Sequence, residues 1–338
     1  MRVVWRHWVS IPNKPLNPVS NRIELGRPIP TNGVICDHEA MTTPDDEKTG
    51  LDIQAMLRHM QKAALQFDDA AVLHREVARR LLERLDYVRL TPASILNLGC
   101  ATGLAAPELR QRYPRARQVV MDFSPTWVLR ARRVLGRWRR LPGVSGGMRG
   151  LPFANDSFDL VFSNLALHRS DDLHALAREL QRILRPGGLV MFSTFGPDTL
   201  QELRGAWQAV DQAAHVQPFI DMHDIGDALV TARLADPVMD MEHFTLTYPS
   251  VDTLVADLTA LGLRNALKAR ASGLTTPRQW QRMAEAYALL QDEQGRLPAT
   301  WEVAYGHAWG TDAQAQVATE AGEVRVPLES LVVPHRQR

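Results

Sequence analysis

An α/β fold built on a mostly parallel sheet, with helices on both faces, is predicted by three observations. A short apolar run ending in Ile95-Leu96 enters the small-residue turn Leu98-Gly99-Cys100-Ala101-Thr102-Gly103, and residues 104–112 then carry a helical pattern. A second apolar strand, Val119-Val120-Met121, ends in Asp122. Strand and helix signals go on alternating through Phe195, which is the pattern of parallel βαβ crossovers.

The elements follow in order. Residues 56–88 read as an amphipathic helix entering the domain, because Leu73, Val77, Leu81 and Leu85 recur at four-residue spacing. Leu160-Val161-Phe162-Ser163 is the next strand and ends at Asn164. Ser170 or Asp171 caps a helix with the stripe Leu173, Leu176, Leu180 and Ile183, closed by Pro186-Gly187. Leu189-Val190-Met191-Phe192 is a further strand, and Pro197-Asp198 opens a helix carrying Leu200, Leu203, Trp207 and Val210. Residues 238–248 and 300–309 read as the last two strands. Residues 251–290 between them are mostly helical and are expected to cover the carboxyl edge of the sheet as a lid, where ligands bind in such folds.

The chain has 338 residues, 45% hydrophobic and 23% charged, ample for a large core. Lys plus Arg total 39 against 38 Asp plus Glu, so overall charge points to neither nucleic acid nor a membrane surface. The two cysteines, Cys36 and Cys100, provide no disulfide framework and no metal-ligand spacing, so no metal is expected. With no long apolar run and no signal-peptide pattern, a cytoplasmic location is expected. Residues 1–55, with Pro12, Pro15, Pro18, Pro28, Pro30 and Pro44, read as a flexible extension or a start placed too early, 56–312 as the domain, and 313–338 as a tail.

A strand, a small-residue turn and a helix N-terminus let backbone N–H groups approach a nucleotide-like ligand closely. Gly99, Ala101 and Gly103 are the candidate turn residues. An acid ending the second strand, Asp122, suits a ribose, since one carboxylate can accept hydrogen bonds from both hydroxyls. With Leu151-Pro152-Phe153, the segment Asn155-Asp156-Ser157-Phe158-Asp159 and Leu184-Arg185-Pro186-Gly187-Gly188, this order of motifs resembles the class I S-adenosylmethionine (SAM) methyltransferases. That resemblance implies a Rossmann-like, seven-stranded, mostly parallel sheet with the helical insertion between its last two strands. It also implies SAM as cofactor, with Asn97, Phe123, Leu151 and Asn164 around it. Phe123 and Leu151 serve equally as core packing, and Asn164 as a turn cap.

Three further stretches narrow the likeness. They are Phe192-Ser193-Thr194-Phe195-Gly196-Pro197-Asp198-Thr199-Leu200, Asp221-Met222-His223-Asp224-Ile225-Gly226-Asp227 and Tyr305-Gly306-His307-Ala308-Trp309. Together they resemble the malonyl-[acyl-carrier-protein] O-methyltransferase family of biotin synthesis. The resemblance implies methyl transfer from SAM to the free carboxylate of a malonyl thioester on acyl-carrier protein. Such a carboxylate is ionised at neutral pH and needs no general base, so no catalytic triad is expected.

Candidate substrate residues are His168, Arg204 and His307, each with an ordinary structural reading beside it. Arg130, Arg133, Arg137 and Arg140, with Arg132 and Arg139, read as one basic helical face, either a dock for acidic carrier protein or a solvated surface. The chain departs from the family pattern at several positions. Asn97 replaces an acid, Ala101 the middle glycine of the turn, and Arg169 a tryptophan; Phe67 stands where tyrosine is common, and Gly146-Gly147-Met148-Arg149 lacks an acid. These departures leave two alternatives open: a hydroxylase on the same fold, or a non-catalytic assembly protein.

Overall fold

The computed structural model describes residues 34–36, 50–271 and 273–312. The expected tail and most of the expected extension lie outside the described residues. Two pieces of the extension lie within them: the strand β1 (Val34–Cys36), and a segment from Gly50 in which Leu51 is buried and bridges to Leu267.

Helices α1 (Ile53–Ala63), α2 (Phe67–Ala70) and α3 (Val72–Arg84) occupy the stretch expected to be one helix. No Gly or Pro causes the break. Instead, the last carbonyls of α1 are taken by side chains from another helix. Trp127 Nε1 donates to the Met60 carbonyl at 2.7 Å, and the Arg130 guanidinium donates to that of Ala64. Carbonyls satisfied from outside no longer need a following helical turn.

The order continues with β2 (Ser94–Leu98), α4 (Ala106–Arg112), β3 (Arg117–Asp122), α5 (Pro125–Ala131), β4 (Gly143–Ser145), β5 (Phe158–Ser163), α6 (Leu173–Ile183) and β6 (Leu184–Phe195). It ends with α7 (Gln201–Gln208), α8 (Met222–Thr231), β7 (Ala235–Tyr248), α9 (Val251–Ala260), α10 (Pro277–Ala288) and β8 (Leu297–Trp309). The cap of α6 is Asp172, one residue beyond the expected candidates; its side chain accepts the Ala175 N–H at 2.8 Å.

The sheet order is β1-β4-β3-β2-β5-β6-β8-β7, with β8 antiparallel to both neighbours and the remaining pairs parallel. Strands β2 to β8 are the seven expected, and β1 adds an eighth at the edge. Connections leave β2 toward β3 on one side and reach β5 on the other, so a crevice opens at the carboxyl ends of β2 and β5. Period-two alternation sends Leu96, Leu98, Val161 and Val190 to one face, under α1, α6 and α8. Ile95, Leu160, Phe162 and Met191 go to the other, under α3, α7 and α10. Both insertion helices lie between β7 and β8, and Thr276 and Gln279 form a reciprocal capping box at the start of α10.

The basic stripe does not survive folding. Helix α5 ends at Ala131, and Gly136 turns the chain with φ +100°. Arg130 is committed to Asp68 at 2.7 Å, and Arg132 is buried with its Nε on the Leu141 carbonyl at 3.1 Å. Arg133, Arg137 and Arg140 therefore share no helical face with Arg130.

Two predictions follow from local geometry. Ala101 has φ +48°, a left-handed conformation that costs an L residue roughly 1–2 kcal/mol. Ala101→Gly is expected to stabilise the fold by about 0.5–1 kcal/mol, read from the shift of a urea unfolding midpoint. His74 is buried between Phe67 and Phe195, with ring centroids at 5.2 and 6.3 Å, and burial holds its pKa down to about 3. Its unfolded form takes up a proton near pH 6.5 that the folded form refuses. Stability should therefore fall as pH drops below 6.5, and go on falling toward pH 3. Urea unfolding at pH 7.5 and 5.5 should show this slope, flattened in His74→Phe.

Candidate functional site at the carboxyl edge of the sheet

Strand β2 ends in a turn whose backbone demands small residues. Gly99 has φ +65°, and a Cβ there would stand 2.0 Å from the Ala166 Cβ; Gly103 has φ +95° against the backbone of Ala131. The turn is fastened to β3 by Asp122. One carboxylate oxygen accepts the Ala101 N–H at 2.9 Å, the other the Ser124 N–H at 3.0 Å. Burial raises the pKa of Asp122, against the lowering pull of these amides and of the nearby Arg169. Each oxygen keeps a second lone pair, which is what a ribose hydroxyl needs.

Helices α1 and α2 close over this turn. Asp68 of α2 takes the Thr102 hydroxyl and pairs with Arg130. Phe67 packs on Trp127 at 4.7 Å. Phe123 lines a narrow cleft with Gly146, Gly147, Met148 and Pro152, and a 2.8 Å Arg149–Asp171 ion pair stands at its side. Leu151 does not line this cleft. Its side chain is buried in the core, its N–H goes to Glu179 at 2.6 Å, and its carbonyl goes to Arg182 at 2.8 Å. Asn164 is likewise committed: its amide donates to the His74 carbonyl and accepts from Ser193, both at 3.0 Å. It pins the strand end to α3 and uses its polar atoms to do so.

On the other side of the crevice lies a cavity of about 220 Å³ beneath α9 and α10, walled by His168, Arg169, Phe195, Phe219 and Trp301 among others. His168 is 8% exposed, lies tilted against Phe195 with ring centroids 4.9 Å apart, and has no hydrogen-bond partner on either ring nitrogen. Burial, with Arg169 beside it, pushes its pKa down, so the ring is neutral. Arg204 faces a neighbouring cleft of about 500 Å³, and its guanidinium is held by the carbonyls of Pro197 and Thr199 at 3.0 and 3.1 Å.

His307 is placed elsewhere. It pairs with Met191 in the middle of β6, four positions below the Phe195–Val303 pair at the edge. Burial and Arg84 lower its pKa. The register makes it a core histidine outside the crevice.

The loop from Gly196 to Leu200 owes its sequence to β8. Glu302, buried in β8, accepts the Asp198 N–H at 2.7 Å, and a Cβ on Gly196 would stand 2.4 Å from its carboxyl carbon. Glu302, Asp198 and His243 bring ligand atoms within 4.8 Å of one another. Glu302 and Arg169 were not anticipated as site residues. In the sequence Glu302 shows only as a charge in an apolar strand, and Arg169 only as a departure from a tryptophan.

A nucleoside-type cofactor can be tested against what is left unsatisfied. Asn97 Nδ2, Ser163 Oγ and His74 Nδ1 are buried without partners at or beside the carboxyl ends of β2 and β5. Orphaned polar atoms are rare in native interiors, and a cluster at a strand-end crevice fits a polar ligand seated there. With the Asp122 carboxylate and the Gly99–Gly103 turn, these residues fit SAM.

A family model described as a methyltransferase domain matches residues 96–192. The chain is 45% identical over 289 residues to the malonyl-[acyl-carrier protein] O-methyltransferase of Halorhodospira halophila, spanning 85% of this chain and 98% of that protein. It is 47% identical over 270 residues to that of Laribacter hongkongensis, spanning 77% and 90%. It is 42% identical over 282 residues to malonyl-[acyl-carrier protein] O-methyltransferase 1 of Coxiella burnetii, spanning 83% and 96%. Among solved structures, the YcgJ protein from Bacillus subtilis is similar with a TM-score of 0.51 at 12% identity, over 70% of this chain and 99% of that one, a likeness of fold alone. With likenesses of this degree running almost the full length of its relatives, the chain belongs to the malonyl-[acyl-carrier protein] O-methyltransferase family.

Proposed function

We propose that this chain transfers the methyl group of SAM to the free carboxylate of a malonyl thioester carried by acyl-carrier protein, giving the methyl ester that primes pimeloyl and biotin synthesis. Family membership over nearly the whole length of the relatives carries this reading. A cytoplasmic setting goes with it, since carrier protein is the substrate. Among the described residues no helix is long and apolar enough to cross a membrane.

When bound, SAM supplies an electrophilic methyl on a sulfonium. The roles of the chain's own residues follow from their chemistry. Asp122 accepts from the ribose hydroxyls while its amide contacts keep the carboxylate oriented. Gly99 and Gly103 would let backbone amides of the turn approach the methionine part. The substrate carboxylate is ionised at neutral pH, so no base has to remove a proton, and a buried neutral His168 is compatible with that economy. Phe195, Phe219 and Trp301 exclude water and leave a carboxylate oxygen poorly solvated for attack. Positioning of this kind lowers barriers by roughly 7–11 kcal/mol in favourable cases.

The reading is tested by incubating the purified chain with SAM and malonyl-acyl-carrier protein and following the carrier by mass spectrometry. The expected product is the singly methylated malonyl carrier, with acetyl-carrier protein unmodified. SAM binding without transfer to the malonyl carrier would contradict it. Asp122→Asn keeps the shape but loses a charged acceptor worth about 1.5–3 kcal/mol, so calorimetry should show SAM binding weakened roughly 10- to 100-fold.

A further inference from the structure

Arg169 is a charged side chain of the site that the reaction as described leaves without a task. It closes the short 3-10 turn Leu167–Arg169 after β5 and is 6% exposed. Its guanidinium carbon lies 5.5 Å from the centroid of the Trp127 ring. Among the described residues its side chain makes no hydrogen bond and no ion pair, and its nitrogens keep a narrow contact with solvent at the cavity. Asp122 is close enough to act on it electrostatically, yet both carboxylate oxygens already serve the amides of Ala101 and Ser124. A cation largely withdrawn from water without an acceptor is costly. Burial lowers the pKa of this guanidinium, which records that cost.

The position of Arg169 says from which side an acceptor must come. It lines the cavity beneath the lid helices, beside His168 and Phe195, whereas Gly99, Ala101 and Gly103 are not among the residues lining that cavity. The other cationic residue of the wall, Arg264, is exposed, so Arg169 carries the cavity's buried charge. An anion entering from the substrate side meets it in apolar surroundings, where a charge-assisted pair is strongest.

We propose that Arg169 anchors the malonyl carboxylate and so selects the substrate, an inference that rests on the methyl-transfer reading. The guanidinium holds one carboxylate oxygen and leaves the other to react. That oxygen forms a bond to the methyl carbon as the carbon–sulfur bond breaks, its electron pair passing to sulfur; no proton moves. The ester product has lost its negative charge, so the anchor releases it.

The test crosses enzyme with ligand. Wild type, Arg169→Gln and Arg169→Lys are titrated calorimetrically with malonyl-pantetheine, acetyl-pantetheine and SAM, and assayed with malonyl-acyl-carrier protein. Wild type is expected to prefer malonyl- over acetyl-pantetheine by about tenfold or more, with R169Q losing the preference and R169K keeping part of it. The KM for malonyl-acyl-carrier protein should rise about tenfold or more in R169Q, with SAM affinity held within about twofold. Absence of a malonyl preference in wild type overturns the anchor, even if R169Q fails to fold. So does a preference that persists in R169Q, or a loss in R169Q confined to SAM binding. A preference abolished in R169Q without methylation by wild type sustains the anchor and sinks the reaction instead.

Discussion

The carboxylate of Asp122 is the joint on which the site's geometry depends. By accepting the N–H groups of Ala101 and Ser124 it ties the turn after β2 to the end of β3, across two strands that are adjacent in the sheet. The tie also explains a backbone cost. Ala101 sits in the left-handed region, and the charged acceptor on its amide helps hold it there. Burial of an acid to 3% exposure is tolerated because two amides satisfy it. The structural clasp and the proposed ribose acceptor are thus one group.

Around that joint the two halves of the site differ in character. The cofactor side is made of backbone and of polar atoms without partners, at the ends of β2 and β5. The proposed substrate side is made of rings, Phe195, Phe219 and Trp301, with a neutral His168 and one buried cation. A nucleophile that arrives already ionised needs placement and dryness more than it needs proton chemistry. The Gly196–Leu200 loop, hydrogen-bonded to β8 through Glu302 and Thr199, fixes the rim between these halves.

Much of this was legible in the chain, for identifiable reasons. The parallel core strands are apolar on both faces, and Gly99 and Gly103 mark backbone that a side chain would obstruct. Both signals are local. What failed was tertiary. The helix through residues 56–88 breaks because Trp127 and Arg130 take carbonyls at the end of α1. The arginine stripe dissolves because α5 stops at Ala131. His307 fell outside the crevice through strand register, which no single-strand pattern reveals. Leu151 and Asn164 sit in the expected neighbourhood, yet their contacts are with Glu179, Arg182, His74 and Ser193. Arg169 was visible only as a departure from a tryptophan; its meaning needed the cavity.

The most direct test is a crystal structure of the chain with S-adenosylhomocysteine. The account predicts both ribose hydroxyls on the Asp122 carboxylate, the methionine part above Gly99–Gly103, and the sulfur turned toward the cavity of His168 and Arg169. A ligand bound elsewhere, or a ribose that does not touch Asp122, would contradict it.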